Sequence, residues 1–215
     1  MPLVSLVLAS RSPARLATLA SAGVTPEVVV SDVDEPAVLA AARAGFGQDL
    51  EPADAVLVLA QAKAEAVGRQ VEDEVSALVL GCDSMLELDG EIVGKPADAD
   101  EARRRWRAMR GRSGVLHTGH WVVDARDDED GGTGATLGAS SATTVHFADL
   151  DDEEIDAYVA TGEPLHVAGA FTIDGLGGPY IERVEGDHHG VVGLSLPLLR
   201  ELLGELDVAW RDLRG

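Results

Sequence analysis

The sequence has one cysteine, two lysines and few cations of any kind. A single cysteine, Cys82, in 215 residues excludes an intrachain disulfide and a zinc site built on thiolates. It sits in an apolar run and is read as a small core residue rather than a reactive thiol. No hydrophobic stretch reaches the roughly 20 residues of a membrane helix. Leu3 to Ala9 is too short to span a bilayer and no cation precedes it, so a cytoplasmic protein is expected. No internal repeat or linker is visible, and residues 1–215 are expected to form one domain. Seventeen basic against 38 acidic residues give a formal charge of −21. That charge repels polyanions, arguing against nucleic acid or an anionic membrane as partner, and is read mainly as solubility. Small phosphorylated ligands remain compatible if cations cluster locally.

What is present begins with apolar content: 46% of residues are hydrophobic, enough to bury a core. Leu3 to Ala9 reads as a buried strand. Ser12 and Pro13 follow as N-cap and first residue of a helix that Gly23 ends, and Glu27 to Val30 resumes extended character. Helices are expected over Pro36–Ala44 and Pro52–Gly68, the second with Val56, Leu59 and Val67 on its apolar side. A strand over Ser76–Cys82 is expected to stop at Asp83. After it, Asp89-Gly90 between two short apolar runs signals a hairpin. Asp98 to Arg110 reads as an exposed helix whose Arg103, Arg104, Arg105 and Arg107 form a solvated face. Two long strands, Val115–Val123 and Ser140–Phe147, flank a polar, glycine-rich loop read as a mobile hairpin tip. A helix over Asp151–Thr161, a glycine-studded stretch, a strand at Tyr180–Val184 and a helix over Leu196–Leu206 complete the reading.

Four polar clusters interrupt this scaffold. Ser10, Arg11, Ser12 and Arg15 gather hydroxyls, cations and free amides at a helix start, a phosphate-sized anion site, although such residues also simply cap helices. Asp32, Asp34 and Glu35 form an acidic cluster of the kind that turns and solvated faces also explain. Asp83 ends an apolar run and could hold a divalent cation or take a proton from water. Lys95, in Gly94-Lys95-Pro96, sits in a stiff turn just beyond the hairpin. Ala168 to Gly178 is dense enough in glycine to admit a flat ligand or to make ordinary tight turns. The histidines form no metal set: His117 and His120 fall on opposite faces of one strand, and His188 and His189 in a polar turn. Fifteen of the seventeen basic residues are arginine, so the two lysines, Lys63 and Lys95, stand out as positions where a compact point charge serves better than a planar fork.

In order and spacing these segments resemble the Maf family of nucleoside triphosphate pyrophosphatases. LASRSPARL from Leu8, Val33-Asp34-Glu35, LAQAKA from Leu59, GCDSMLELDGEIVGKP from Gly81, SGVLHTG from Ser113, YVATGEP from Tyr158, AGAFTIDGLGG from Ala168 and VEGDHHGVVGLSLPLL from Val184 carry the likeness. The resemblance implies an α/β fold with an elongated, twisted mixed sheet split around a central cleft and helices on both sides. It implies a homodimer that uses a divalent metal, magnesium, manganese or cobalt, to hydrolyse a nucleoside triphosphate to monophosphate and pyrophosphate. It implies Asp83 as catalytic base and, with Glu35, metal site; Ser10, Arg15, Lys63 and Lys95 as phosphate-binding; and Ala14, Ser84 and Asp174 at positions linked to base preference. Those three depart from the family's commoner residues, so the resemblance leaves the preferred base open. Two other readings compete: a nucleotide-binding regulator of cell division with little or no hydrolysis, and a phosphatase that releases orthophosphate.

Overall fold

The computed structural model describes residues 3–46, 50–71 and 74–214. Among them, seven strands form one mixed sheet. Strand β1 (Leu6–Leu8) lies between β2 (Glu27–Val28) and β3 (Ala77–Leu88), parallel to both. On its other edge β3 pairs antiparallel with β5 (Ser113–Ala125), which continues to β6 (Thr136–Phe147) and β7 (Ile181–Glu185). The short β4 (Glu91–Val93) folds back on β3 through Asp89 and Gly90, both in the left-handed region at φ 56° and 81°. That pair of angles suits the two-residue hairpin turn the Asp-Gly pair predicts.

Seven helices flank the sheet among the described residues: α1 (Pro13–Ser21), α2 (Glu35–Phe46), α3 (Pro52–Val71), α4 (Ala99–Met109), α5 (Asp152–Ala160), α6 (His188–Val192) and α7 (Leu196–Glu205). Because side chains alternate along a strand, Leu78, Leu80 and Cys82 face one way, packing with Leu19, Leu199, Leu202 and Leu203 of α1 and α7. Ala77 and Val79 face the other way, against Val67 and Val71 of α3. A further core gathers Trp106, Phe147, Tyr158 and Phe171, with Trp106 edge-on to both Phe147 and Tyr158. No helix of the described residues is long and apolar enough to cross a membrane.

One expectation fails instructively. β3 does not stop at Asp83; it runs on to Leu88, with Asp83 in mid-strand opposite Gly119. The polar residues there break the apolar pattern, but pairing with β5 carries the strand through. What ends instead is the neighbour on the other edge. β1 stops where Leu8 pairs with Leu80, and β4 starts only where Val93 pairs with Leu86. Residues 81–85 of β3 therefore border a gap in the sheet, entered from one side by the loop after β1 and from the other by the turn after β4.

Two glycines bring α3 against this region. A methyl group on Gly81 would lie 2.2 Å from the Ala60 carbonyl oxygen, and one on Gly119 would lie 2.4 Å from that of Val56. Only bare backbone admits the helix so close, and Lys63 is carried on its next turn. Gly81→Ala is therefore expected to push α3 outward, destabilising by about 1–3 kcal/mol in denaturant titration, with a loss of activity larger than the unfolded fraction explains.

Other corrections have equally local causes. The stretch between β5 and β6 is no loose tip: buried Asp124 accepts two bonds from Arg126 at 2.8 and 3.0 Å, and others from the Thr133 amide and hydroxyl. The arginines of α4 are more than a solvated face. Arg103 bonds Asp156 at 2.8 Å and Arg110 bonds Asp152 at 2.8 Å, tying α4 to α5, while Arg105 holds Glu101 and the Gly94 carbonyl. His188 and His189 open a short helix, because the Asp187 carboxylate caps it through the amides of His189 and Gly190 at 3.1 and 3.0 Å.

Candidate active site

Asp83 projects from β3 beneath α3 and is 9% exposed; Lys63, reaching down from the helix, is 8% exposed. The Lys63 ammonium donates to Asp83 Oδ1 at 2.6 Å and pairs with Glu35 Oε1 at 2.7 Å. Glu35 is at the start of α2, whose neighbour Asp34 accepts the Ala37 amide at 3.1 Å and so fixes the helix end. Asp32, the third member of the acidic cluster, pairs loosely with Arg11 in solvent at 3.6 Å and reaches no part of the site. One ammonium thus lies between two carboxylates from different elements. Each carboxylate keeps one oxygen off that ammonium. Burial raises the Asp83 carboxyl above the ordinary aspartate range, with Lys63 and Arg15 pulling it back and Glu35 adding to the rise. Such a carboxylate is poised to take a proton.

The loop between β1 and α1 closes the same gap. Ser12 caps α1 through its hydroxyl, accepting the Arg15 amide at 3.4 Å, and Ser10 Oγ accepts the Ser12 amide at 3.1 Å. Arg15 is less free than a phosphate clamp would be. Its guanidinium donates to Gly193 O at 2.7 Å, Cys82 O at 2.9 Å, Ser10 Oγ at 3.2 Å and Ser84 Oγ at 3.1 Å. Lys95 follows β4 on the far side of the gap and is exposed; Arg105 donates to the carbonyls of Gly94 and Lys95 and so holds its turn. Arg105 is a supporting residue that sequence reasoning missed. Its i,i+4 pairing with Glu101 was visible, but its long reach to Gly94 was not.

Ala14 and Asp174 come together, lining a groove of about 290 Å³ with Thr18, His188, His189 and Leu196. Ser84 is not in that lining; its hydroxyl bonds Arg15 and, at 2.9 Å, Thr118. Asp174 rides on a loop gripped by one side chain also missed from sequence, Glu163. Glu163 Oε1 accepts the hydroxyls of Thr172 and Tyr158 at 2.6 and 3.0 Å and the Gly177 amide at 3.0 Å, while Oε2 accepts the Leu176 amide at 3.0 Å. Burial raises the Glu163 carboxyl, but these bonds outweigh it and hold it below the ordinary glutamate range.

Cys82 faces the opposite core, and burial pushes its thiol up to about 11, so it stays protonated and inert. His117 faces α3 and pairs with Glu87 at 2.8 Å. His120 faces the other way: Nδ1 donates to Thr118 O at 3.1 Å, and Nε2 accepts the Ser195 amide at 2.8 Å. Only a neutral ring makes both bonds. Burial, with some help from Arg15, pushes its pKa down from 6.5 to about 4, against the Thr118 carbonyl and Asp187. Because the folded value lies below the unfolded one, this stability is complete above about pH 6.5 and is lost as pH falls towards 4. From pH 7 to pH 5, His120 is expected to take away about 2 kcal/mol in denaturant titration, a slope that His120→Gln should flatten.

Among the described residues no three His, Cys, Asp or Glu side chains gather into a metal cage. Glu35 and Asp83 nonetheless offer two hard carboxylates beside the gap. An octahedral cation bound together with substrate phosphates needs only one or two such ligands, so the pair fits magnesium or manganese.

The Maf-like protein family profile matches residues 5–206. Proteins named nucleoside triphosphate pyrophosphatase are similar along nearly the whole chain. That of Leifsonia xyli subsp. xyli is 54% identical over 97% of this chain and 95% of its own length. The Streptomyces coelicolor protein is 53% identical over 97% and 93%, and the Salinispora tropica protein 56% identical over 94% and 84%. A dITP/XTP pyrophosphatase structure from Mycobacterium abscessus covers 68% of this chain and 76% of its own at 16% identity, but its TM-score of 0.36 adds nothing to the assignment. With a profile spanning most of its length and relatives more than half identical almost end to end, the chain belongs to the Maf-like protein family.

Proposed function

We propose that this protein is a nucleoside triphosphate pyrophosphatase: water adds to the α-phosphorus, the bond to the bridging oxygen breaks, and nucleoside monophosphate and pyrophosphate leave. The observation that carries the reading is the buried Asp83 carboxylate bordering the sheet gap beneath α3, bonded to Lys63. Its relatives' names agree.

In this reading Asp83 orients the attacking water and accepts its proton through the oxygen that Lys63 leaves open. Lys63 keeps that carboxylate ionised despite its burial and offsets phosphoryl charge as it builds. The Ser10 hydroxyl, the one Arg15 N–H not given to a protein acceptor among the described residues, the positive end of α1 and Lys95 hold the triphosphate from the two sides of the gap. A divalent cation on Glu35 and Asp83 would polarise the phosphoryl group when bound. The base would enter the groove of Ala14 and Asp174, where an acceptor-only carboxylate favours a base edge that donates. The same reading places the enzyme in the cytoplasm as a homodimer acting on free nucleotides, in keeping with a charge that disfavours nucleic acid.

The test is to incubate the protein with canonical and modified nucleoside triphosphates and magnesium, manganese or cobalt, and to identify the phosphorus products. Pyrophosphate with at least one substrate is the expected result. Orthophosphate would support the phosphatase reading, and binding without turnover the regulator of cell division.

A further inference from the structure

Thr118 is fully buried at the centre of β5, opposite Ser84 on β3. Its hydroxyl donates to the Gly190 carbonyl in α6 at 2.8 Å. A hydroxyl has one proton, so in the 2.9 Å contact between Thr118 and Ser84 the donor must be Ser84. The Ser84 oxygen is then an acceptor, and it takes the Arg15 guanidinium at 3.1 Å. The chain therefore has a single direction, from Arg15 through Ser84 and Thr118 to Gly190. Arg15 Nε meanwhile donates to the carbonyl of Gly193, the residue that caps the C-terminal end of α6. Both terminal nitrogens are thus committed: one to Ser10 and Cys82, the other to Ser84. A guanidinium has five N–H groups and these partners take four, so the direction of the remaining one is set by protein acceptors. The same α6 carries His188, His189 and Val192, which line the groove.

We propose that Thr118 is a positioning residue: its hydroxyl, through Ser84, fixes Arg15 for the triphosphate and locks the α6 wall of the groove to that arginine. Thr118 touches no substrate. The inference rests on Arg15 being a phosphate-side residue. A valine at this position keeps the shape and removes both hydrogen bonds, whereas a serine keeps the hydroxyl.

Steady-state kinetics separate the possibilities. Thr118→Val is expected to raise KM for the triphosphate roughly tenfold while kcat per folded molecule stays within about twofold, and Thr118→Ser is expected to restore KM. A purely structural role would lower the melting temperature and leave KM untouched, which would overturn the proposal. Ser84→Ala cuts the same chain nearer the surface and should raise KM alike, so the question stands even if the valine variant does not fold. Arg15→Ala keeps the two readings apart. If it leaves KM unchanged, the phosphate role of Arg15 is wrong; if it raises KM but Thr118→Val and Ser84→Ala do not, the positioning role alone is wrong. In an Arg15→Ala background Thr118→Val is expected to add nothing, and an additive effect would overturn the relay.

Discussion

Asp83→Asn is expected to slow pyrophosphate release by about 10²–10⁴-fold, the range usually lost with a general base. The amide matches the carboxylate in shape, so it fits under α3 without new contacts, and Lys63 keeps Glu35 as its partner. Nucleotide binding measured by calorimetry should survive, because the groups assigned to the phosphates are untouched. Stability should not suffer either. Burial raises the Asp83 carboxyl, which means that the folded protein holds this charge at a cost, and the neutral variant is expected to melt no earlier than the parent. Hydrolysis within about tenfold of the parent rate would place the base elsewhere.

Lys63→Met is expected to damage stability and rate together. It removes the ammonium that two carboxylates share and leaves Asp83 buried with its nearest cation gone. Breaking a buried pair from one side costs about 3–5 kcal/mol; the half-exposed Glu35 can recover water, so the lower end is expected. Thermal denaturation checks the size and a second substitution checks the cause. Adding Asp83→Asn to Lys63→Met should return much of the lost stability, since no uncompensated charge then remains inside. If Lys63→Met melts like the parent, the ammonium contributes little and the electrostatic account of the site fails.

Much of this architecture is legible in the chain. Ser12 and Pro13 mark a helix start and Asp89-Gly90 a hairpin because caps and tight turns depend on neighbouring backbone alone. The length and buried stripe of α3 follow from its periodicity. The scarcity of lysine drew attention to Lys63 and Lys95, and one of the two is in contact with Asp83. What stayed hidden depends on partners distant in sequence. The continuation of β3 through Asp83 comes from pairing with β5, some way further along the chain. Gly81 and Gly119 read as ordinary glycines until α3 lies across them. Arg105 and Glu163 resemble countless surface charges, and nothing near them announces that one steadies the Lys95 turn and the other the Asp174 loop.

The grip of Glu163 on residues 172–177 divides labour between two neighbouring acids. Glu163 is surrounded by donors; Asp174 is exposed, lines the groove and makes no side-chain hydrogen bond among the described residues. If the proposed function holds, replacing Asp174 would alter the lining of the groove while the Glu163 anchor of its loop stays in place, so the choice of base could be tuned there without rebuilding the loop.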